Sequence, residues 1–491
     1  MNNPPVDYSR KWYTMVAVGS GLFLSTIDSS IVNIALPTMV KEFEVPFSTI
    51  QWVTLSYLLT ITTLMLAIGR LADIKGKKPI YTLGFFIFVV GSFLCGLSPT
   101  VYWLIAFRVL QAVGAVMIMA LGMGIVTEAF PPRERGMALG ITGAIVSSGI
   151  ILGPTLGGFI IDALDWQWIF FVNVPVGIIG VCMVFLYVPN IQPAGGQKFD
   201  FWGAAVLLLS LLSLLFALTL GQQLGFSDTR IRILFVAWIL LSVLFIHIEQ
   251  TSSQPMIDLK LFSEPVFTTG LITGFLTFTC MAGTIFLMPF FLENVLHYPI
   301  RQIGLLLGVV PLAMGITAPI SGSLSDRYGS FSITVIGLVF LVGGYISLTT
   351  LSQYTTSLGY VLRFLPIGIG TGIFQSPNNS AIMGTAPRSR LGIVSGILSI
   401  TRTLGQTTGI ATLGAIWASR INQLSSDFSG SAVEAPASIQ VAALQDTFKV
   451  TVVIMSIALS LAIWRWIRQN KIINQKYEPP GPASINQVEE S

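Results

Sequence analysis

Charge is what this chain has least of. Only 10% of its 491 residues are Asp, Glu, Lys or Arg, where a soluble domain carries roughly 25%. That is too little polar surface to cover a water-facing body of this size, which argues against a soluble enzyme. A disordered scaffold is excluded as well, because disorder needs low hydrophobicity and high charge, and 53% of this chain is apolar. The net charge is only +4 and no basic run is long enough to form a duplex-binding face, so nucleic acid is not an expected partner. The two histidines, His247 and His297, are too few for a proton relay or a metal site. Cys95, Cys182 and Cys280 sit scattered in apolar stretches, with no metal spacing and no even-numbered disulfide set. They read as small buried hydrophobes. No Gly-Lys-Ser/Thr nucleotide loop is present, which argues against ATP drive, and no cofactor is expected.

What is present is a series of long apolar stretches. A bilayer-spanning helix needs about 20 apolar residues. Fourteen stretches qualify, at about 12–36, 49–69, 79–98, 101–126, 137–161, 168–188, 201–221, 231–248, 266–292, 302–322, 331–351, 357–380, 391–418 and 447–467. The first is too long for a signal-peptide core and lacks a small-residue cleavage pattern, so it reads as a retained helix. Placing the N-terminus inside puts seventeen Lys and Arg in inner segments and six in outer ones, with Arg108, Arg363 and Arg402 inside helices. That bias predicts both termini on the cytoplasmic side.

The chain also repeats itself. Gly69-Arg70-Leu71-Ala72-Asp73 follows the second predicted helix, and Gly322-Ser323-Leu324-Ser325-Asp326-Arg327 follows the tenth. Arg108 and Arg363 come 35 and 37 residues after the two aspartates, each early in the helix two further on. The expected fold is an all-α polytopic membrane protein of fourteen transmembrane helices: two pseudo-symmetric six-helix bundles, 12–188 and 266–468, plus an inserted helix pair at 189–265. Cytoplasmic tails would occupy 1–11 and 469–491. Parallel repeats with a site between them are a transporter architecture.

Five ordered motifs carry a family resemblance. Gly69-Arg70-Leu-Ala-Asp73-Ile-Lys75-Gly76-Lys77-Lys78 resembles the signature loop of the major facilitator superfamily, and Arg108-Val-Leu-Gln111-Ala-Val-Gly114 its fourth-helix motif. Gly149-Ile-Ile-Leu-Gly153-Pro154-Thr-Leu-Gly157-Gly158 resembles the fifth-helix motif of its antiporters. Asp28-Ser-Ser-Ile-Val-Asn33-Ile-Ala-Leu-Pro37 and Trp168-Ile-Phe-Phe-Val-Asn173-Val-Pro175-Val-Gly177 are similar to patterns of the fourteen-helix drug:proton antiporter subgroup. The resemblance spans essentially the whole chain. It implies a gating role for Gly69, Arg70, Asp73, Gly76 and Lys77, with Asp326 and Arg327 as a weaker second latch lacking the Lys-Lys continuation. It implies also a tight, breakable seam between the bundles at Gly149, Gly153, Pro154, Gly157 and Gly158. The residue chemistry agrees: small residues four apart permit close helix contact, and Pro154 removes a backbone hydrogen bond.

Ionisable groups inside a membrane are costly unless paired or hydrated. Asp28 lies about 24 Å along the first helix from Trp12. Ser25, Ser29 and Asn33 share its neighbourhood, so that side is expected to face a cavity. Arg108 reaches a similar depth with Gln111 one turn on, and an Asp28–Arg108 pair is expected to carry protons. Arg402 lies mid-helix in a polar stripe with Ser395, Ser399 and Gln406, and Arg363 lies nearer a helix end, where it could snorkel. Glu293 closes the ninth helix at the outside. Candidate substrate contacts are Asp28, Asn33, Trp52, Tyr57, Gln111, Phe290, Glu293, Phe374, Asn378 and Arg402, with Phe286, Gln375 and Asn379 nearby, since aromatics beside a few amides suit greasy ligands.

The expected function is a proton-coupled exporter of amphipathic small molecules, working by alternating access as a monomer in the plasma (inner) membrane. The expected partners are substrate, protons and lipid. The alternative is an exporter of a native lipid, metabolite or organic anion on the same fold. An intramembrane enzyme is more remote, because no His-Glu-x-x-His, Gly-x-Ser-x-Gly or paired deep carboxylates are present.

Overall fold

In lipid every backbone polar group must find its partner within its own segment or a closed barrel. The long apolar runs meet that demand as helices. The computed structural model describes residues 8–131, 134–190, 200–225, 227–251, 259–385, 391–424 and 432–476; side chains of some helical residues, among them Arg70, Asp73 and Asp326, lie outside that description. The helices are α1 Lys11–Phe43, α2 Phe47–Lys75, α3 Lys77–Gly96, α4 Val101–Ala129, α5 Arg135–Ala163, α6 Trp168–Phe171 and α7 Asn173–Tyr187. They continue as α8 Phe201–Leu224, α9 Thr229–Thr251, α10 Pro265–Phe290, α11 Ile300–Leu307, α12 Val309–Tyr328, α13 Ser330–Leu348, α14 Ser357–Met383, α15 Leu391–Leu424 and α16 Ala437–Lys476. Among the described residues, 12 spans are long and apolar enough to cross a membrane. Two further helices, α2 with 29 residues and α15 with 34, fall outside those 12. Both carry polar runs, Thr60 to Thr63 on α2 and Arg402 to Thr408 on α15.

Packing falls into two sets with the same pairings. In the first, α4 packs on α2 and α3, and α7 on α1 and α3, while α1 lies along α5. In the second, α14 packs on α12 and α13, and α16 on α10 and α13, while α10 lies along α15. Helices α8 and α9 pack on each other, and α8 touches both α2 and α15. The end of the bundle where α1 finishes is called distal below, and the end where α1 starts is called proximal.

Several expected boundaries shift, each for a local reason. The stretch expected as one helix at 168–188 is broken at Val172 into α6 and α7, and the stretch at 302–322 is broken at Gly308 into α11 and α12. Helix α10 runs out through a π-turn, Phe291–Val295, that carries Glu293. Arg420, beyond the expected stretch 391–418, lies within α15, and α16 begins ten residues ahead of the stretch at 447–467; Arg420 and Lys449 both pair with Asp446, at 2.6 and 2.8 Å. Helices longer than the apolar run explain this, since their polar ends stand clear of the hydrocarbon.

The two repeated motifs are not loops. Residues 69–75 complete α2, and α3 begins at Lys77, so the connection is Gly76 alone, at φ 92°. Likewise Gly322 to Arg327 lie within α12, and Gly329, at φ 85°, is the one-residue link to α13. That left-handed conformation suits glycine and permits two helices to reverse across a single residue.

Candidate functional site

The sharpest feature is an ionic node sealed inside the first set of helices. Asp28 of α1 is 0% exposed and Arg108 of α4 is 1% exposed. Arg108 Nη1 donates to Asp28 Oδ2 at 2.6 Å and to Gln111 Oε1 at 2.6 Å. Asp28 Oδ1 accepts from Gln111 Nε2 at 2.8 Å and from Asn173 Nδ2 of α7 at 2.9 Å. Gln111 Nε2 also donates to Ser92 Oγ of α3 at 2.7 Å. The guanidinium lies 4.0 Å from the centre of the Tyr57 ring, and its Nε donates to the Val53 carbonyl of α2 at 3.2 Å. Five helices therefore meet at this node. The expected pairing of Asp28 with Arg108 is present and Gln111 joins it, but the Asp28 side of α1 does not face a cavity: the node is closed by Asn173, Ser92 and Tyr57. Asn173 belonged to a recognised motif without a role assigned to it, and Ser92 gave no sequence signal at all.

A burial of this kind is a chemical statement. A buried ion pair is tolerated only when further hydrogen bonds satisfy the remaining lone pairs and protons. Here both carboxylate oxygens are occupied and the cation is capped by an aromatic face, which adds electrostatic attraction. Protonating Asp28 would remove the negative half and leave Arg108 without its counter-charge at a point where five helices meet.

The second feature is a seam between the two sets of helices at the distal end. Lys41 Nζ of α1 and Glu293 Oε1 after α10 are 2.5 Å apart. Phe47 of α2 packs on Phe286, Phe290 and Trp417 with ring centres 5.5, 4.9 and 5.0 Å away. Gln51 of α2 is enclosed with both amide atoms unpartnered, close against Gly414 of α15. Gly158 of α5 and Gly304 of α11 approach so closely that a Cβ on Gly304 would lie 2.6 Å from the Pro154 carbonyl and 3.2 Å from Gly158 Cα. Of the fifth-helix motif, Pro154 and Gly158 meet this second set, together with Thr155, which donates to the Gly304 carbonyl at 3.4 Å, and Ile151, which lies against Gly315 of α12. A Cβ on Gly149, Gly153 or Gly157 would instead collide with Thr26, Ser30 or Ile31 of α1. The glycines expected to form the seam thus pack mainly against α1, and of them Gly158 reaches across to the second set.

The expected substrate contacts divide. Trp52 lies against Phe216 of α8, ring centres 5.5 Å apart. Tyr57 donates to the Ser25 carbonyl at 3.2 Å and is buried. Phe290 belongs to the distal aromatic seam. Phe374 is 0% exposed, and its backbone lies against Gly337 of α13. Asn378 donates to the Gly270 carbonyl at 3.1 Å within its own set. Asp28 and Gln111 are sealed. Asn33 stays half-buried with its Oδ1 unpartnered. Arg402 is half-buried and forms no ion pair or hydrogen bond with any described residue. Arg363 stays near a helix end, donating to Thr350 Oγ1 and the Gly359 carbonyl. Glu293 is held by Lys41 rather than free in solvent.

At the proximal end Lys77 pairs with Glu128 of α4, inside its own set, and Lys11 pairs with Glu134 at 2.5 Å. Gly69 has open space where a side chain would be. Arg327 is exposed, its guanidinium 5.4 Å from the centre of the Tyr328 ring. The side chains of Arg70, Asp73 and Asp326 lie outside the described residues, and so does any latch they form. No group of three or more potential metal ligands occurs among the described residues.

Comparisons with known proteins complete the picture. The profile of the Major Facilitator Superfamily matches residues 18–410. The chain is 37% identical over 410 residues to the riboflavin transporter RibZ of Clostridioides difficile, covering 83% of this chain and 89% of that protein. It is 32% identical over 420 residues to the multidrug transporter protein MdtP of Bacillus subtilis, covering 85% and 77%. It is 32% identical over 406 residues to the multidrug resistance protein Stp of Mycobacterium tuberculosis, covering 82% and 75%. In fold it is similar to a crystal structure of a bacterial homolog of the human lysosomal transporter Spinster, in an inward-facing and occupied conformation. The TM-score is 0.68 and the identity 16%, covering 98% of this chain and 100% of that one.

Proposed function

The chain belongs to the major facilitator superfamily and is a polytopic membrane transporter rather than an enzyme, and on that premise we propose that it exports amphipathic small molecules in exchange for protons. The single observation that carries this reading is the Asp28–Arg108–Gln111–Asn173 node: a fully enclosed carboxylate whose neutralisation would unbalance five helices. A proton reaching Asp28 would loosen α1 from α4 and α7, and the helices would rock about the Gly158–Gly304 contact. Fourteen spans in two matched bundles, a monomeric carrier in the plasma membrane and cytoplasmic termini are parts of this reading. With the termini inside, the closed distal seam is the outer gate.

Substrate range is the less specified half. The two multidrug relatives favour breadth. A second reading, a carrier for one neutral or anionic metabolite, is favoured by Arg402, a half-buried cation without a described counter-charge, and by the riboflavin-transporting relative. Riboflavin is a reasonable first probe for both.

The test is flux in proteoliposomes. An imposed pH difference should drive accumulation of substrate, with proton movement in the opposite sense, and Asp28→Asn should abolish it while the protein stays monodisperse. Concentrative transport persisting in that variant would reject the coupling role.

A further inference from the structure

A second arginine is buried far from the coupling node. Arg465 of α16 is 8% exposed and sits near the proximal end. Its Nε and Nη2 are enclosed and have no hydrogen-bond partner among the described residues. It faces a crevice between three helices, lined by Thr269 and Thr273 of α10, Phe331 and Thr334 of α13, and Ala462 of α16. The Phe331 ring centre is 4.3 Å from the guanidinium carbon. The three threonines donate their hydroxyl protons to their own helices, at the carbonyls of Pro265, Thr269 and Ser330. They offer oxygen but no charge.

A buried cation without an anion is strongly unfavourable, and an aromatic face offsets only part of that cost. The neighbourhood adds more positive charge: Arg327 and Arg468 lie at the same end of the bundle, Arg468 over the Trp464 ring at 5.6 Å. Trp464 and Ile467 are 49% and 47% exposed, so the flank of α16 turned away from Arg465 meets the bilayer, while Arg465 itself points into the bundle. A fixed guanidinium fork matches phosphate geometry, and basic pockets between membrane helices on the cytoplasmic side take lipid headgroups. The closed part of the crevice is about 10 Å³, the room that one water-sized oxygen needs. One oxygen of a phosphate fits there, and the rest of the headgroup stays at the surface.

We propose that the crevice between α10, α13 and α16 holds the phosphate of an anionic membrane phospholipid, whose negative charge offsets the Arg465 guanidinium. The site is independent of substrate and protons. The orientation proposed above decides only which leaflet supplies the lipid.

Native mass spectrometry of the full-length protein, titrated with phosphatidylglycerol or phosphatidylcholine, reads the binding directly. Wild type should retain one phosphatidylglycerol in preference to phosphatidylcholine, and phosphatidylglycerol should raise its melting temperature. Arg465→Gln should weaken that retention about fivefold or more, whereas Arg468→Gln should leave it in place. If Arg465→Gln does not fold, Arg465→Lys, which keeps the charge but loses the fork, should retain the lipid less tightly than wild type. Equal retention of both lipids by wild type would overturn the proposal. Stabilisation by inorganic phosphate alone to the same extent would also overturn it, in favour of a free-anion site. A third adverse outcome involves Asp258, which lies outside the described residues: if Asp258→Asn and Arg465→Gln destabilise equally and neither alters lipid retention, the counter-charge belongs to the protein.

Discussion

Arg108 and Asp28, 80 positions apart in sequence, meet at 2.6 Å inside a region that neither water nor lipid reaches. Removing one partner of such a pair leaves a buried, uncompensated charge and costs about 3–5 kcal/mol. Asp28→Asn is therefore expected to lower thermal stability as well as coupling, because Arg108 remains. The double variant Asp28→Asn/Arg108→Gln should recover much of the lost stability and none of the proton-driven exchange. Melting curves in detergent beside flux in proteoliposomes separate the two effects. Recovery of coupled flux in the double variant would show that the proton is carried elsewhere.

Asn173 gives a sharper version of the same test. Its Nδ2 donates to Asp28 Oδ1, and its own Oδ1 is enclosed without a partner. Asn173→Ala removes a bond to a charged acceptor, worth about 1.5–3 kcal/mol, and should lower thermal stability and slow proton-driven exchange. An exchange rate that does not move would show that Asn173 only packs.

Much of this architecture was legible in the sequence, and the reasons are specific. Apolar runs of about 20 residues can only be helices in lipid, so helix placement followed from composition. Asp28 and Arg108 stood out because deep charges are costly enough to be rare. The partners that seal them, Ser92 and Tyr57, carry no such mark, since serine and tyrosine are common in membrane helices. The same limit applies to the candidate substrate contacts. Trp52 and Phe374 are amphipathic or aromatic residues on helices with several covered faces, and sequence alone does not say which face meets the second bundle. Lys41 and Glu293 were missed as a pair because 252 residues separate them and each alone looks like a solvated helix end.

The distal seam predicts an asymmetry between its parts. Lys41 is 62% exposed at its side chain against 12% for Glu293, and a partly exposed pair is worth no more than about 1 kcal/mol. Lys41→Gln should change turnover by a few-fold at most, and the charge swap Lys41→Glu/Glu293→Lys should restore it. Gly304 is different: a leucine there has no room beside the Pro154 carbonyl. Gly304→Leu should hold the distal side open and reduce exchange by about fivefold or more, since overpacking costs about 1–3 kcal/mol. Labelling of a cysteine placed at Gln51 should rise in that background and stay low in the parent. Low labelling in both would mean that the two glycines are packing and not a fulcrum.

Substrate charge follows from what the inter-bundle region leaves unpaired. Asp28 is fully engaged by Arg108, Gln111 and Asn173, so it offers no free negative charge to a cation while the node is closed. Glu293 is engaged by Lys41. Arg402 is the half-buried cation that no described carboxylate offsets. Taking an elementary charge into the bilayer core is costly without a counter-charge, and two such charges on one ligand would face repulsion instead. Neutral amphiphiles and organic anions should therefore be carried in preference to dications, with lipophilic monocations in between. Arg402→Gln should reduce transport of anionic substrates by about tenfold, the loss of one charge-assisted contact, and leave a neutral probe such as riboflavin nearly unchanged. Competition binding decides the order: dications displacing a bound neutral probe at comparable concentration would sink it. Disappearance of that displacement in Glu293→Gln would then locate the negative charge at the distal seam, released from Lys41 when the gate opens.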